Sequence, residues 1–125
     1  MTRSVLLAED EPHIVESLEF LLGRAGFSVT VVSDGEAAVA RAMADTPDVL
    51  VLDVMLPGIN GFEVLRRLRA EAGTARLPVV MLTAKGQRED RETARRWGAD
   101  VFIAKPFSNA ELVETVSRLA ASGTS

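Results

Sequence analysis

The sequence contains no cysteine, and it has a single histidine among its 125 residues. Without cysteine the chain can form neither a disulfide nor a thiolate metal site, and His13 has no second soft ligand, so we expect it to be a solvated surface residue. No apolar run is long enough for a signal peptide or a membrane span, so a cytoplasmic location is the default expectation. The net charge of −4 argues against a dedicated nucleic-acid-binding protein, which needs a basic face.

Apolar residues make up 47% of the chain, which is enough for the core of one domain. We expect residues 1–125 to form a single domain with an ordered core over about 4–120 and a short polar C-terminal tail. Five short apolar runs lie at residues 5–8, 29–32, 49–52, 79–82 and 101–104. Four of them are continuously apolar, as in parallel strands covered on both faces, whereas the second has the polar alternation of an edge strand.

Helix signals separate these runs. Pro12 predicts the start of a first helix, and Ser33 with Glu36 predicts a capping box for the second. A fourth helix, predicted around residues 87–97, is almost entirely charged. Five β-α units predict an α/β fold with an open parallel sheet of five strands and five helices.

Chemically reactive side chains follow four of the five runs. Glu9 and Asp10 follow the first run, and Asp53, Thr83 and Lys105 follow the third, fourth and fifth. Ligands bind at the carboxyl ends of strands in open parallel sheets, so these groups are expected to converge. Each residue alone is weak evidence, because an acid after a strand often caps a helix. Reactive side chains at the ends of four strands are much harder to assign to chance.

The acids among these residues predict a cation site. Two carboxylates about 4 Å apart repel by roughly 4 kcal/mol at an effective dielectric near 20, so a cluster favours protonation or recruits a cation. Oxygen ligands without histidine or cysteine select magnesium, manganese or calcium, of which magnesium is the commonest. Open positions on such an ion suit a phosphate co-ligand, to which Lys105 could add charge and Thr83 a hydroxyl donor.

These residues and their neighbours resemble the receiver domain of two-component response regulators, including the chemotaxis regulators. The resemblance runs from Val5 to Leu119. The motifs that carry it are Glu9-Asp10, Asp53 followed by Met55-Leu56-Pro57-Gly58, Thr83-Ala84, and Lys105-Pro106-Phe107. The resemblance implies a flavodoxin-like three-layer α/β/α sandwich whose parallel strands have the order 2-1-3-4-5.

The resemblance also implies a role for each acid. Asp53 is the phosphoacceptor nucleophile. Asp10 and Asp53 bind Mg²⁺ directly together with the backbone carbonyl of Met55, and Glu9 acts mainly through water. The implied cofactor is therefore Mg²⁺.

Further roles fall on the fourth and fifth runs. Thr83 and Lys105 would hold the phosphoryl oxygens, and the bond between Lys105 and Pro106 is expected to be cis. Phe102 would be a switch aromatic that follows the movement of Thr83, although a plain core role fits it as well.

The implied function is signalling by phosphoryl transfer. A partner sensor histidine kinase, a histidine phosphotransfer protein or a small donor such as acetyl phosphate would supply the group. The chain would catalyse only its own phosphorylation and dephosphorylation, so it is not expected to be an enzyme with turnover. A stand-alone receiver is favoured, and the alternative is a receiver fragment of a longer DNA-binding response regulator.

The implied output face consists of the fourth helix, the fifth strand and the fifth helix. It would bind a downstream protein or a second copy of the chain, with no direct contact to nucleic acid or membrane. Arg91 and Glu111 could pair across such a dimer, but Val101 and Thr115 stand where dimerising relatives usually have an acid and an arginine. Trp97 replaces a small residue and serves either packing or binding.

Three rival functions can be considered, and the residues argue against each of them. A haloacid-dehalogenase-like phosphatase has its nucleophile after the first strand and a second aspartate two residues on, whereas Asp10 is followed by Glu11 and Pro12. A flavodoxin needs a hydroxyl-rich phosphate loop where this chain has acids. A degenerate receiver would act only as a docking module.

We predict slow self-dephosphorylation. Met55 and Lys85, two residues past Asp53 and Thr83, flank the expected path of the hydrolytic water, and a thioether cannot orient water. The phosphorylated chain in magnesium buffer should therefore lose its phosphoryl group over much longer than seconds, measured by intact mass spectrometry. Decay within seconds would contradict this prediction.

Overall fold

The computed structural model describes residues 2–83 and 88–122, over which strands and helices alternate. The strands are β1 (Ser4–Ala8), β2 (Ser28–Val32), β3 (Val49–Asp53), β4 (Val79–Thr83) and β5 (Val101–Ala104). The helices are α1 (Pro12–Arg24), α2 (Gly35–Asp45), α3 (Gly61–Ala70), α4 (Arg88–Arg96) and α5 (Asn109–Ser122). Ala84, Lys85, Gln87 and residues 123–125, which entered the sequence-based predictions, lie outside the described residues.

The five strands form one parallel sheet. Its order is β2-β1-β3-β4-β5, which confirms the predicted flavodoxin-like topology and places β2 at an edge. Parallel neighbours need crossover connections, and here a helix supplies each one. No helix among the described residues has the length and apolar character needed to cross a membrane.

Alternation along the strands produces two apolar layers. In β1, Val5 and Leu7 pack on the layer formed with α1 and α5, whereas Leu6 and Ala8 pack on the opposite layer. That second layer receives buried side chains from α2, α3 and α4. The continuously apolar runs are thus explained, because both faces of the central strands are covered.

The helix starts agree in part with those predicted from the sequence. Pro12 occupies the first turn of α1, as predicted. Helix α2 is capped by Asp34, whose carboxylate accepts a hydrogen bond of 2.8 Å from the Ala37 amide. The predicted capping box of Ser33 and Glu36 is therefore wrong by one residue, because the capping side chain is that of Asp34, the residue directly before the helix.

Two glycines allow close backbone approach at the first residues of helices α2 and α3. The Gly61 amide donates to the Val54 carbonyl at 2.8 Å, and a Cβ at position 61 would lie 2.4 Å from the Asp53 carbonyl oxygen. A Cβ at Gly35 would lie 2.1 Å from the carbonyl oxygen of Ile59. Backbone atoms cannot yield as a flexible side chain can, so helices α2 and α3 begin where they do only with glycine.

We predict that Gly61→Ala destabilises the fold. Overpacking against the Asp53 backbone should lower the free energy of unfolding by about 1–3 kcal/mol, measured by urea denaturation. The matched control is Gly23→Ala, which adds a methyl group with nothing within 4 Å in helix α1. That control should leave stability unchanged or raise it by up to about 1 kcal/mol. Equal effects of the two substitutions would refute the close-approach argument.

Candidate functional site

Backbone hydrogen bonds continue the sheet beyond the strand ends. They hold the first residues of three loops in register with the neighbouring strands. The bonds run from the Glu9 amide to the Val32 carbonyl at 3.1 Å, from Val54 to Leu82 at 2.8 Å and from Lys105 to Thr83 at 2.6 Å. The side chains at this edge are therefore placed by rigid backbone rather than by free loops.

Three carboxylates meet at this edge. Glu9, Asp10 and Asp53 each offer an oxygen, and these oxygens lie within 4.8 Å of one another. Glu9 and Asp53 are buried, with 1% and 3% of their surface exposed, whereas Asp10 is exposed. The predicted convergence of the acids is present, and it combines two buried groups with one that faces solvent.

Lys105 lies between the two buried acids. Its Nζ is 2.9 Å from Glu9 Oε1 and 3.4 Å from Asp53 Oδ2. Its side chain is mostly buried, so solvent screens these two ion pairs only weakly. Lys105 thus contacts the predicted nucleophile directly and partly offsets the repulsion between the acids.

Glu9 is held more tightly than its predicted water-mediated role requires. Its Oε2 accepts hydrogen bonds of 3.1 Å from the amides of both Asp10 and Glu11. Its Oε1 is buried and has no well-aligned hydrogen-bond donor among the described residues, so the Lys105 contact is an ion pair without hydrogen-bond alignment. Sequence reasoning missed the Glu11 amide, because backbone donors leave no mark in the residue type.

Burial and charge shift two pKa values in this cluster. Burial raises the pKa of Glu9 above its ordinary value, and contact with Lys105 and the Glu11 amide reduces but does not cancel that rise. Burial also lowers the pKa of Lys105, but its contacts with Glu9 and Asp53 together outweigh burial, so that pKa is raised. Lys105 therefore remains a cation, and its charge keeps a buried carboxylate cluster tolerable.

Asp53 is tied to the loop that follows it. The Met55 amide donates to Asp53 Oδ1 at 3.3 Å, whereas Asp53 Oδ2 faces Lys105. The side chain of Met55 points to solvent and is 69% exposed. The predicted use of its carbonyl as a metal ligand stays a prediction.

Thr83 and Phe102 lie toward the layer of α2, α3 and α4. Thr83 is buried at the end of β4, two residues after Met81, which packs in that layer. Phe102 packs against the same layer, and the guanidinium carbon of Arg91 on α4 lies 5.7 Å from the centre of its ring. This is cation–π distance, so α4 contacts the predicted switch aromatic directly.

A cavity of about 440 Å³ adjoins the site on the α1 side. His13, Ile14 and Phe107 help to line it, together with Lys105 and Pro106. The peptide bond between Lys105 and Pro106, for which the sequence predicts the cis form, is cis. His13 itself is exposed, in agreement with its expected place at the surface.

The output face predicted from the sequence has a mixed character. Trp97 is 40% exposed just beyond α4. Val101 is half-buried and Thr115 is buried, so the second of these departures faces the core rather than a partner. The predicted pairing of Arg91 with Glu111 between two copies stays a prediction.

The donor set of the acidic cluster fits a hard divalent cation. Glu9, Asp10 and Asp53 offer oxygen atoms only, and the buried Glu9 Oε1 lacks an aligned donor. Oxygen donors favour magnesium, manganese or calcium over zinc or copper.

The comparisons with known proteins agree with this geometry. Residues 5–117 match the family described as response regulator receiver domain. The chain is 40% identical over 119 residues to the phosphate regulon transcriptional regulatory protein PhoB of Rhizobium meliloti (strain 1021), covering 95% of this chain and 52% of that protein. The chain spans about half the length of the curated relatives it matches.

Two solved structures show the same fold. The receiver domain of the Francisella response regulator 1452 has a TM-score of 0.90 at 30% identity, over 97% of this chain and 98% of that one. The receiver domain of the sensor histidine kinase PA1611 from Pseudomonas aeruginosa PAO1 has a TM-score of 0.84 at 33% identity, over 97% of this chain and 99% of that one. In that structure a magnesium ion is coordinated in the active-site cleft.

We predict that magnesium stabilises this chain through the acidic cluster. At one hundred times its dissociation constant, a bound ion adds about 2.7 kcal/mol to the free energy of unfolding, seen as a rise in thermal midpoint. Asp10→Asn should remove most of this rise. The control Asp45→Asn changes an exposed acid that pairs with Arg41 at 2.9 Å, and it should keep the full rise. A full rise in Asp10→Asn would exclude this cluster as the binding site.

Proposed function

Because the chain belongs to the response regulator receiver family, we propose that Asp53 accepts a phosphoryl group from a partner histidine kinase or a histidine phosphotransfer protein. The observation that carries the proposal is the placement of Lys105 Nζ 3.4 Å from Asp53 Oδ2, beside two further carboxylates. A nucleophile, a fixed cation and a set of metal-binding oxygens thus occupy one edge of the sheet.

Asp53 acts as the nucleophile in this proposal. Its carboxylate oxygen attacks the phosphorus of a phosphohistidine or a small acyl phosphate in line, and the bond from phosphorus to the donor atom breaks. An anionic nucleophile and an anionic phosphoryl group repel each other. The Lys105 ammonium reduces that repulsion, because it is already paired with Asp53 before the donor arrives.

Magnesium is the proposed cofactor. Glu9, Asp10 and Asp53 would hold the ion together with the backbone carbonyl of Met55. When bound, the ion supplies positive charge that stabilises the transferring phosphoryl group. The exposed side of the cluster, at Asp10, leaves room for a donor to approach from solvent.

Lys105 and Thr83 are proposed to hold the phosphoryl oxygens after transfer. Lys105 offers a charge-assisted donor, and Thr83 offers a hydroxyl at the end of the neighbouring strand β4. Both are largely buried, so these contacts form where water competes little. The acyl phosphate is thereby retained as a signal rather than released as a product.

The proposed switch links Thr83 to the face formed by α4, β5 and α5. Thr83 and Phe102 lie on the same side of the sheet, and Arg91 of α4 covers the Phe102 ring at 5.7 Å. A move of Thr83 toward a phosphoryl oxygen opens space beside Phe102, which shifts the equilibrium between two positions of α4. A downstream protein or a second copy of the chain would bind one of these positions.

We predict that acetyl phosphate with magnesium adds one phosphoryl group to the wild-type chain, detected as a mass gain by intact mass spectrometry. Asp53→Asn should abolish the gain, because an amide cannot form the acyl phosphate. The matched control Asp45→Asn changes an exposed acid at the end of helix α2, and this variant should be phosphorylated like the wild type.

Absence of any mass gain on the wild type would contradict the proposed function and favour a docking module. A gain that survives in Asp53→Asn would instead place the nucleophile at another residue. In that second case, peptide mapping of the phosphorylated protein locates the modified residue.

A further inference from the structure

Met55 is the most exposed methionine among residues 2–83 and 88–122. Its exposed fraction is 69%, against 41% for Met43, and Met81 is fully buried. Peroxides reach an exposed thioether far more easily than one packed in a core, so oxidation follows exposure. The described residues therefore contain three methionines that differ in access to an oxidant.

The position of Met55 connects this reactive group with the site. Its amide donates to Asp53 Oδ1 at 3.3 Å, which fixes its backbone beside the buried carboxylate. Asp53 is only 3% exposed, so water that attacks a phosphoryl group there must come from the solvent side, and the Met55 side chain, two residues along the chain, is in solvent. A chemical change in that side chain therefore takes place beside the loop that is tied to Asp53.

We propose that Met55 is an oxidation site, and that its sulfoxide shortens the lifetime of the phosphoryl group on Asp53. The coupling to Asp53 rests on the function proposed above. A sulfur lone pair attacks one oxygen of hydrogen peroxide or an organic hydroperoxide. The sulfur–oxygen bond forms, the oxygen–oxygen bond breaks, and water or an alcohol leaves with the remaining proton. Sulfur is oxidised by two electrons and the peroxide is reduced by two.

The effect follows from the change in polarity. A thioether is a weak hydrogen-bond acceptor and does not orient water, whereas a sulfoxide oxygen is a strong acceptor. Oxidised Met55 can therefore hold a water molecule beside the acyl phosphate, where the reduced side chain only excludes it. Methionine sulfoxide reductases reverse the modification at the expense of a thiol reductant, so the switch is reversible.

The first experiment measures the order of oxidation. The intact chain is treated with dilute hydrogen peroxide, the reaction is stopped with catalase, and peptide mass spectrometry follows each sulfoxide over time. Met55 should be oxidised several-fold faster than Met43, and Met81 should stay reduced while the fold is intact. If Met55 is oxidised no faster than Met43, the proposed site is wrong, whatever happens at Asp53.

The second experiment measures the phosphoryl lifetime. Reduced and oxidised chains are phosphorylated with acetyl phosphate and magnesium, the donor is removed, and loss of the phosphoryl group is followed by intact mass spectrometry. Oxidation should shorten the half-life of the wild type several-fold. Met55→Leu should lose this sensitivity because it has no sulfur, whereas Met43→Leu should keep it.

The outcomes separate the two proposals. A wild type that never gains a phosphoryl group refutes the proposed function and, with it, the coupling to Asp53, even where Met55 is oxidised first. A phosphorylated chain whose half-life is unchanged by oxidation refutes the coupling alone. If oxidation still shortens the half-life in Met55→Leu, another residue causes the effect, and the inference is also overturned. Recovery of the long half-life after treatment with a methionine sulfoxide reductase supports it.

Discussion

The ammonium group of Lys105 lies 2.9 Å from one buried carboxylate and 3.4 Å from another, and the rest of the site depends on these two ion pairs. Without this cation, Glu9 and Asp53 would be like charges in a buried place, which is costly unless one of them takes up a proton or moves to solvent. One lysine cannot neutralise three acids. The cluster therefore keeps an excess of negative charge, which a divalent cation can compensate.

The sheet makes this arrangement rigid. Hydrogen bonds of the parallel ladder extend past the strands to Glu9, Val54 and Lys105, so the backbone at the site has little freedom to relax the crowded charges. Gly61 adds to this rigidity, because it lets the start of α3 pack directly on the carbonyl of Asp53. Pre-set geometry of this kind means that little reorganisation is needed when a phosphoryl group arrives.

Much of this arrangement was predictable from the sequence. Continuous apolar runs indicated parallel strands, and the residues after them indicated which side chains would meet, because the carboxyl ends of parallel strands share one edge. The cap of α2 was predicted one residue early, since Ser33 and Asp34 are both good capping residues and only the path of the chain out of β2 selects Asp34. The burial of Glu9 was not predicted either, because residue type does not reveal how many backbone amides will donate to a carboxylate.

The sequence by itself determined the fold class, the edge of the sheet at which the acids gather and the hard character of the metal that they would bind, because periodicity and ligand chemistry are local properties of residues. The tertiary structure decided which carboxylates are buried and which one faces solvent. It also decided that Lys105 pairs with both Glu9 and Asp53, and that Arg91 covers Phe102. These contacts join residues far apart in the chain, so their distances and their burial exist only once the strands have paired and the helices have packed on the sheet.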